Sequence, residues 1–156
     1  MTPEQLMRVA LDAARRGLAA GQTPFGCAIA RGGRVIAACH NTVWLTTDAT
    51  AHAEINAIRE ACRRSQQVWL EDTIVASTCE PCPMCAAALN WARVGHIYYG
   101  AAIADAAAVG FNELIWPAAD VLSKGKRPIP LEGGCLVDDC RALFTQWVQS
   151  SEHRAY

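Results

Sequence analysis

The sequence predicts an α/β fold of three layers, in which helices cover both faces of a mixed, mainly parallel five-stranded sheet. Three observations support this class. A glycine pair separates two short apolar runs, which is typical of an antiparallel hairpin. Further along the chain, strand-like segments alternate with helix-like ones, which predicts parallel strands joined by crossover helices. The length of 156 residues suits one domain with a substantial core and is short for two.

A helix and a hairpin open the chain. Thr2 to Gln5 form a capped helix start that includes a proline, and apolar residues then recur at helical spacing up to residues 17–21. Two short apolar runs follow at residues 26–31 and 34–40. The pair Gly32-Gly33 between them suits a primed two-residue turn, so we expect an antiparallel hairpin.

Helices and strands alternate in the rest of the chain. In order, we expect a helix over about 51–64 capped by Thr50, a strand over 73–77, a helix from Pro81 or Pro83 to about 92, a strand over 96–99, a linker-like stretch over 123–134 and a final helix. One face of the final helix is apolar and must pack on an apolar partner; its residues are Cys140, Leu143, Phe144, Trp147 and Val148. We predict a single domain over residues 1–156.

The composition is that of a folded protein with small substrates. Hydrophobic residues make up 52% of the chain and charged residues 19%, which excludes a disordered or fibrous protein. The formal net charge of -1 provides no overall basic field, so we do not expect a nucleic-acid partner. The N-terminal residues do not resemble a secretory signal, and no apolar stretch approaches membrane length. We therefore expect a cytoplasmic protein without a membrane anchor, whose eight cysteines are thiols or metal ligands.

Two segments carry residue types that bind zinc. Cys82 and Cys85 are three residues apart in the first turn of a predicted helix, so their sulfur atoms face the same way. His52, at the start of the preceding helix, can supply a third ligand to a tetrahedral ion. The fourth position then stays open for water, which distinguishes a catalytic zinc site from a structural one. We predict one zinc ion per subunit, bound by these three side chains.

Glu54 gives a second clue to catalysis. It lies in the predicted apolar stripe of its helix, together with Ala51, Ile55, Ile58 and Cys62. A buried carboxylate is costly unless it is paired, protonated or close to a metal ion, so packing alone does not explain it. We interpret Glu54 as the residue that transfers protons during the reaction.

Two other roles for the cysteines stay open. Cys79 could complete a closed, purely structural zinc site with His52, Cys82 and Cys85, and a Cys-x-x-Cys pair is also a redox motif. Neither alternative explains Glu54. X-ray absorption distinguishes a closed site from an open one, and metal analysis distinguishes both from a redox pair without zinc.

The zinc segments resemble a known superfamily. Thr50 to Glu54 and Cys79 to Cys85 contain the His-x-Glu and Pro-Cys-x-x-Cys signature of zinc deaminases that act on nucleobases, and they are similar to the cytidine and nucleobase deaminase superfamily. The chain most resembles bacterial guanine deaminases, and the likeness runs from Pro24-Phe25-Gly26 through Ala106 to Phe111 and on to Tyr156. The resemblance implies the cytidine deaminase-like fold.

The resemblance also implies a substrate pocket. In that family an asparagine at the position of Asn41 binds the base, and a second carboxylate, here Glu113, assists proton transfer and holds the amidine edge of the purine. Many relatives have aspartate where this chain has Asn112, so the division of roles between positions 112 and 113 stays open. The implied substrate contacts are Phe25, Asn41, Ala53, Trp91, Asn112 and Tyr156.

The implied reaction is hydrolytic deamination of a purine base, with guanine giving xanthine and ammonia. Water activated by zinc attacks C2 of the base, and Glu54 protonates a ring nitrogen. The resemblance further implies a homodimer in which the C-terminal helix and tail, residues 135–156, pack on the partner subunit, so that Tyr156 closes the partner's pocket.

Two other classes of enzyme would use the same zinc chemistry on different substrates. A tRNA-specific adenosine deaminase has the same fold and zinc motif, but it must grip an anticodon loop, which the near-neutral charge of this chain does not favour. A cytosine-type or triazine-type aminohydrolase is the next alternative, because a small flat amidine suits the same site.

Overall fold

Five strands form one sheet at the centre of the molecule. The computed structural model describes residues 1–151 and 153–156. The strands are β1 (Gly26–Arg31), β2 (Arg34–His40), β3 (Thr73–Cys79), β4 (His96–Ala101) and β5 (Leu131–Glu132), in the spatial order β2-β1-β3-β4-β5. β1 is antiparallel to both of its neighbours, whereas β3, β4 and β5 are parallel to one another. Every strand except β1 therefore runs in one direction, and the predicted mixed, mainly parallel sheet is confirmed.

Helices cover both faces of this sheet. They are α1 (Pro3–Ala19), α2 (Val43–Thr46), α3 (Ala53–Ser65), α4 (Pro83–Trp91), α5 (Ile103–Ala108), α6 (Ala118–Leu122) and α7 (Val137–Val148). One buried apolar cluster joins α1 and α7 to one face, and a second joins α3, α4 and α6 to the opposite face. The three-layer prediction is confirmed. Among the described residues, no helix combines the length and apolarity that crossing a membrane requires.

Strand β1 shows how one strand serves both layers. Ala28 and Ala30 contact the cluster formed with α1 and α7, whereas Cys27 and Ile29 contact the cluster formed with α3 and α4. Successive side chains of a strand point to opposite faces of the sheet. Because both faces are covered, the strand is a continuous apolar run rather than an alternation of apolar and polar residues.

The first helix and the hairpin form as predicted. The Thr2 hydroxyl accepts a hydrogen bond from the Gln5 backbone N–H at 3.2 Å, and the Gln5 side chain accepts one from the Thr2 N–H at 2.9 Å. This capping box satisfies donors that the helix leaves free. In the hairpin, Gly32 and Gly33 have φ values of +55° and +77°, the left-handed conformations that a type I′ turn requires at both central positions.

Helix α3 begins later than predicted. It starts at Ala53 with His52 as its N-cap, so the expectation of a helix from residue 51 capped by Thr50 was wrong. The reason is a local turn: both the N–H and the hydroxyl of Thr50 donate to a carboxylate oxygen of Asp48, at 2.8 and 2.7 Å. A side chain bonded inside that turn does not cap the helix.

The buried face of α3 shifts with its start. Its buried residues are Ala53, Glu54, Ala57 and Ala61, whereas the predicted stripe included Ile55, Ile58 and Cys62, which are only partly buried. Small residues on this face allow the helix to lie close to the sheet. Glu54 is buried in either description, and its prediction therefore survives the change in register.

The C-terminal helix packs on its own chain. Cys140, Leu143, Phe144 and Trp147 are buried in the cluster that includes α1, as their spacing predicted. Val148 is 43% exposed because it is the last residue of α7 and lies beyond the edge of that cluster. The linker-like stretch before this helix contains the short strand β5, which pairs with β4.

Candidate metal centre and active site

Two helix starts meet beside the end of β3. His52 is the N-cap of α3, Cys82 is the N-cap of α4, and Cys85 lies in the first turn of α4. Ligands bind at the carboxyl ends of the strands in many α/β sheets, since connections to helices gather there. The fold thus brings together three predicted ligands from segments about thirty residues apart in sequence.

The three predicted ligands fit a zinc ion. The Nδ1 atom of His52 lies 3.6 Å from the Sγ atoms of both Cys82 and Cys85, and all three ligand atoms lie within 4.8 Å of one another. In a tetrahedral site, Zn–N and Zn–S bonds of about 2.05 and 2.3 Å separate the nitrogen and sulfur atoms by about 3.6 Å. A nitrogen and two sulfurs are also the donor set that zinc prefers. The residues therefore match a zinc ion in both spacing and chemistry.

The thiol pair is prepared for a cation. The hydrogen bond from the Cys85 thiol lowers the pKa of Cys82 to about 4, aided by His52 and opposed by burial. The same contact, together with burial, raises the pKa of Cys85. Both helices direct the positive ends of their dipoles toward this group, which favours thiolates. A bound cation stabilises both sulfurs as thiolates and releases the remaining proton.

Glu54 lies beside this group with only 6% of its surface exposed. The Ser77 hydroxyl donates to one carboxylate oxygen at 3.0 Å, and the Cys85 thiol lies 3.5 Å from the other oxygen. Burial raises the pKa of Glu54 above its ordinary value, and the negative charge of Cys82 adds to this effect. A buried carboxyl group with a raised pKa can both accept and return a proton, which is what general acid–base catalysis requires.

A small pocket opens onto these residues. It is lined by Phe25, Asn41, His52, Glu54, Cys79, Glu80, Cys82, Glu113 and Tyr156, and its free volume is about 20 Å³. This volume is close to that of a single water molecule. The pocket thus contains most of the predicted site residues, and the C-terminal tail closes it.

Asn41 is fixed between the strand end and the tail. It is fully buried, its side-chain oxygen accepts from the Val43 N–H at 3.0 Å, and its amide nitrogen donates to the Tyr156 hydroxyl at 2.6 Å. The tyrosine ring also packs against His52, with 5.5 Å between ring centroids. Burial raises the pKa of the Tyr156 hydroxyl, so it remains a neutral donor and acceptor.

Trp44 holds the tail in place. Its indole N–H donates to the Arg154 carbonyl at 3.2 Å, and the Arg154 guanidinium lies 3.7 Å above its ring. Tyr156 packs edge-on against Phe111, and its backbone carbonyl accepts from the Asn112 N–H at 3.4 Å. In this structure the tail therefore docks in the pocket of its own chain.

Three of the predicted substrate contacts lie elsewhere. Trp91 is 75% exposed at the end of α4, because nine residues place it on the far side of the helix from Cys82. Ala53 is buried in the core cluster behind the pocket. Asn112 is exposed, and its backbone N–H donates to the Tyr156 carbonyl; Glu113 is the residue of this segment that lines the pocket.

Cys79 lies in the pocket wall but apart from the ligand group. Its thiol is 3.6 Å from the Ala102 carbonyl, to which it donates. Burial raises its pKa well above the ordinary value, which favours the neutral thiol over a metal ligand. Its place in the structure therefore does not support the closed structural site.

Four residues that the sequence did not single out also organise the site: Ser77, Glu80, Asn56 and Trp44. The Asn56 amide donates to the His40 carbonyl, the Thr42 hydroxyl and the Ala51 carbonyl at 3.0, 2.9 and 3.2 Å, and so ties the segment of Asn41 to that of His52. A polar residue inside an apolar strand, such as Ser77, was the available signal. The other three act through contacts that only folding creates.

Comparison with known proteins identifies the family. Residues 1–101 match the family described as the cytidine and deoxycytidylate deaminase zinc-binding region. Guanine deaminase from Bacillus subtilis strain 168 is 42% identical over 114 residues, which are 72% of this chain and 73% of that one. The tRNA-specific adenosine deaminase of Aquifex aeolicus strain VF5 is 41% identical over 101 residues, 65% of this chain and 67% of that one. A solved structure of guanine deaminase from Nitrosomonas europaea has a TM-score of 0.87 at 29% identity, over 96% of this chain and 86% of that one.

A mixed five-stranded sheet with a His/Cys/Cys group at two helix starts and a buried glutamate beside it defines the zinc-dependent deaminase class. The chain belongs to the cytidine and deoxycytidylate deaminase family of zinc-binding enzymes. It is accordingly an aminohydrolase, and zinc is its cofactor.

Proposed function

We propose that this protein deaminates free guanine: guanine and water give xanthine and ammonia. The observation that carries the proposal is the buried Glu54 beside His52, Cys82 and Cys85, in a pocket closed by Tyr156. Relatives named as guanine deaminases support the substrate. A closed pocket of this kind suits a free base better than a base attached to ribose or RNA.

Each side chain has a proposed role in this reaction. His52, Cys82 and Cys85 hold zinc, which when bound supplies Lewis acidity toward the attacking water. Glu54 takes a proton from that water and delivers it to a ring nitrogen of the base, then assists the departure of ammonia. Ser77 keeps Glu54 oriented through its hydrogen bond.

The remaining pocket residues are proposed to bind the base. Asn41 presents its amide at the inner wall, and Phe25 offers an aromatic ring that is itself braced by Phe111 at 4.8 Å between centroids. Glu113 faces the pocket, and burial raises its pKa, with a further rise from the charge of Cys82. A carboxyl group that exchanges a proton at this place suits the amidine edge of guanine.

The tail must move for the substrate to enter. About 20 Å³ of free space does not admit a purine, and Tyr156 occupies the hydrogen-bonding side of Asn41. We propose that Tyr156 leaves the amide of Asn41 when guanine binds and then covers the bound base. A cover of this kind excludes water from the reacting centre.

A substrate screen tests the proposal. Zinc-loaded protein is assayed for ammonia release with guanine, guanosine, cytosine, adenine, ammeline and a tRNA anticodon stem. We expect turnover with guanine far above that with guanosine or the stem. Turnover of the tRNA anticodon stem without turnover of guanine would establish a tRNA-specific adenosine deaminase instead. The similarity to the Aquifex aeolicus enzyme is the reason for testing that substrate.

We further propose that two copies of the chain associate. Leu114, Ile115 and Trp116 are 69%, 67% and 54% exposed in one run, and Trp91 is also exposed. A concentration of exposed apolar side chains commonly marks an interaction surface. Analytical ultracentrifugation of the zinc-loaded protein tests this, with a dimer expected. Exchange of the tails between subunits stays a prediction, because the tail reaches the pocket of its own chain.

A further inference from the structure

Glu80 is a carboxylate in the pocket wall that the proposed chemistry does not use. It lies between the end of β3 and Cys82. One of its oxygens accepts from the Ala118 N–H at 2.9 Å, and the other accepts from the Ile103 N–H at 3.4 Å. Its own N–H donates to the Ala101 carbonyl at 2.7 Å, so the residue is attached to the end of β4.

The two donors flank the segment that carries Glu113. Ile103 is the first residue of α5, and Ala118 is the first residue of α6. One carboxylate therefore spans the two helix starts on either side of residues 109–117. The N–H groups at a helix start lack partners within the helix, and a carboxylate is their most favourable acceptor.

This segment has few other anchors. Phe111 and Ala118 are buried at its two ends, whereas residue 112 and residues 114–117 are exposed. No helix or strand forms between them. Because apolar packing holds only the ends, the position of Glu113 depends on polar contacts. These are the bond from the Asn112 N–H to the Tyr156 carbonyl at 3.4 Å and the contacts at the start of α6.

We propose that Glu80 is a positioning residue that fixes Glu113 relative to the metal centre. It links the Cys82 segment, which holds a metal ligand, to the helix start that follows Glu113. Both of its oxygens are occupied by backbone N–H groups, so it acts through the segment rather than on the substrate. The inference deepens the proposed function and rests on the role assigned there to Glu113.

The variant that tests this is Glu80→Gln, which keeps size and shape. A glutamine has one acceptor oxygen, and its NH₂ group would face one of the two backbone donors. The matched control is Asp105→Asn. Asp105 accepts from the Ala102 N–H at 2.8 Å and pairs with Arg141 at 3.1 Å, so it also supports the start of α5, but among the described residues no hydrogen bond joins its side chain to α6.

Kinetics of a double-mutant cycle give the first readout. In zinc-loaded protein we expect Glu80→Gln to lower kcat for guanine about tenfold or more, the usual scale for a lost hydrogen bond to a charged group. In a Glu113→Gln background the same change should cost less than about threefold, because the side chain being positioned is no longer functional. Equal losses in the two backgrounds would overturn the proposal.

Hydrogen exchange gives a readout that does not require activity. We expect faster amide exchange over residues 111–117 in Glu80→Gln than in the wild type or Asp105→Asn, with zinc content and exchange in α3 unchanged. Unchanged exchange in the segment, or loss of zinc from the variant, would contradict a role confined to positioning Glu113. If the wild type does not deaminate guanine, the proposed function fails, whereas the exchange result still tests the link between Glu80 and the segment.

Discussion

At the scale of single residues, the site depends on a carboxyl group that the fold keeps away from water. Glu54 is held by Ser77 on one side and contacts Cys85 on the other, and burial raises its pKa. The burial of this carboxyl group is costly for stability and useful for proton transfer. The proposed mechanism therefore predicts a larger loss of kcat when the carboxyl group of Glu54 is removed than when the Ser77 hydroxyl that donates to it is removed.

Replacing Glu54 with glutamine should abolish turnover without loss of zinc. The amide cannot carry a proton, so we expect kcat to fall by about 10²–10⁴-fold or more, with stoichiometric metal retained. Zinc analysis and ammonia release measure the two effects. Glu60→Gln, which changes a half-buried carboxylate of α3 that pairs with Arg63 outside the pocket, is the control and should keep full activity. An active, zinc-loaded Glu54→Gln enzyme would contradict the assignment.

Removing the Ser77 hydroxyl should lower kcat less than removing the Glu54 carboxyl group. Ser77→Ala deletes a buried donor to Glu54, and Ser77 is only 2% exposed, so water does not readily replace it. We expect kcat to fall about tenfold, in line with about 1.5 kcal/mol for a hydrogen bond to a charged group. Ser65→Ala, which removes a hydroxyl bonded to the Ala61 carbonyl at the end of α3, serves as the control. Equal kcat in the two variants would exclude a role for Ser77.

At the scale of secondary-structure elements, the starts of α3 and α4 form the candidate metal centre. His52 and Cys82 are both N-caps, with extended backbones that turn their side chains toward each other. Neither uses its side chain to cap its own helix. The helix starts therefore leave these atoms free for a cation, while the helix dipoles favour the thiolates.

The C-terminal helix should contribute to stability through its buried face. Leu143 is 1% exposed, and Leu143→Ala should lower the free energy of unfolding by about 2–5 kcal/mol. Val148→Ala on the same helix should change it by less than about 1 kcal/mol, because Val148 is 43% exposed. Urea unfolding of zinc-saturated protein measures both. Similar losses would mean that α7 packs in another register.

At the scale of the whole molecule, a metal ion and the tail complete the fold around the pocket. The predicted ligands lie at the starts of α3 and α4, and Tyr156 of the C-terminal tail closes the pocket. The sheet alone does not fix these parts with respect to one another. Both contributions can be removed separately.

Removing zinc should destabilise the protein. A ligand at about a thousand times its Kd stabilises the native state by about 4 kcal/mol, which corresponds to a change in Tm on the order of 10 °C at this chain length. We therefore expect a chelator to lower Tm by roughly this amount and added zinc to restore it. Thermal unfolding followed by circular dichroism measures the shift. Complete loss of zinc without a change in Tm would mean that zinc does not bind the native state more tightly than the unfolded chain.

Deleting Tyr156 should impair catalysis and leave the fold intact. The deletion removes the hydroxyl that bonds Asn41 and the ring that packs on His52, so we expect kcat/KM for guanine to fall about tenfold or more. Tm and zinc content should stay near those of the wild type. Ser151→Ala in the same tail, a residue with an exposed side chain, is the control. Unchanged guanine kinetics would show that the tyrosine does not cover the pocket.

Much of the architecture could be predicted because it is local. The Gly32-Gly33 turn, the Thr2 capping box and the apolar face of α7 depend on residues close in sequence, and all three appear in the structure. The start of α3 could not be predicted in the same way. Thr50 has the residue type of an N-cap, but a competing bond to Asp48 decided its role.

The sequence by itself determined the layered α/β fold, the zinc chemistry of the His52, Cys82 and Cys85 set, and the burial of Glu54, because spacing along a helix or strand dictates which side chains share a face. Only the tertiary structure decided that Ser77 supports Glu54 and that Glu80 joins two helix starts. These contacts join segments that are distant in sequence. Their geometry depends on how the layers pack, which no local pattern records.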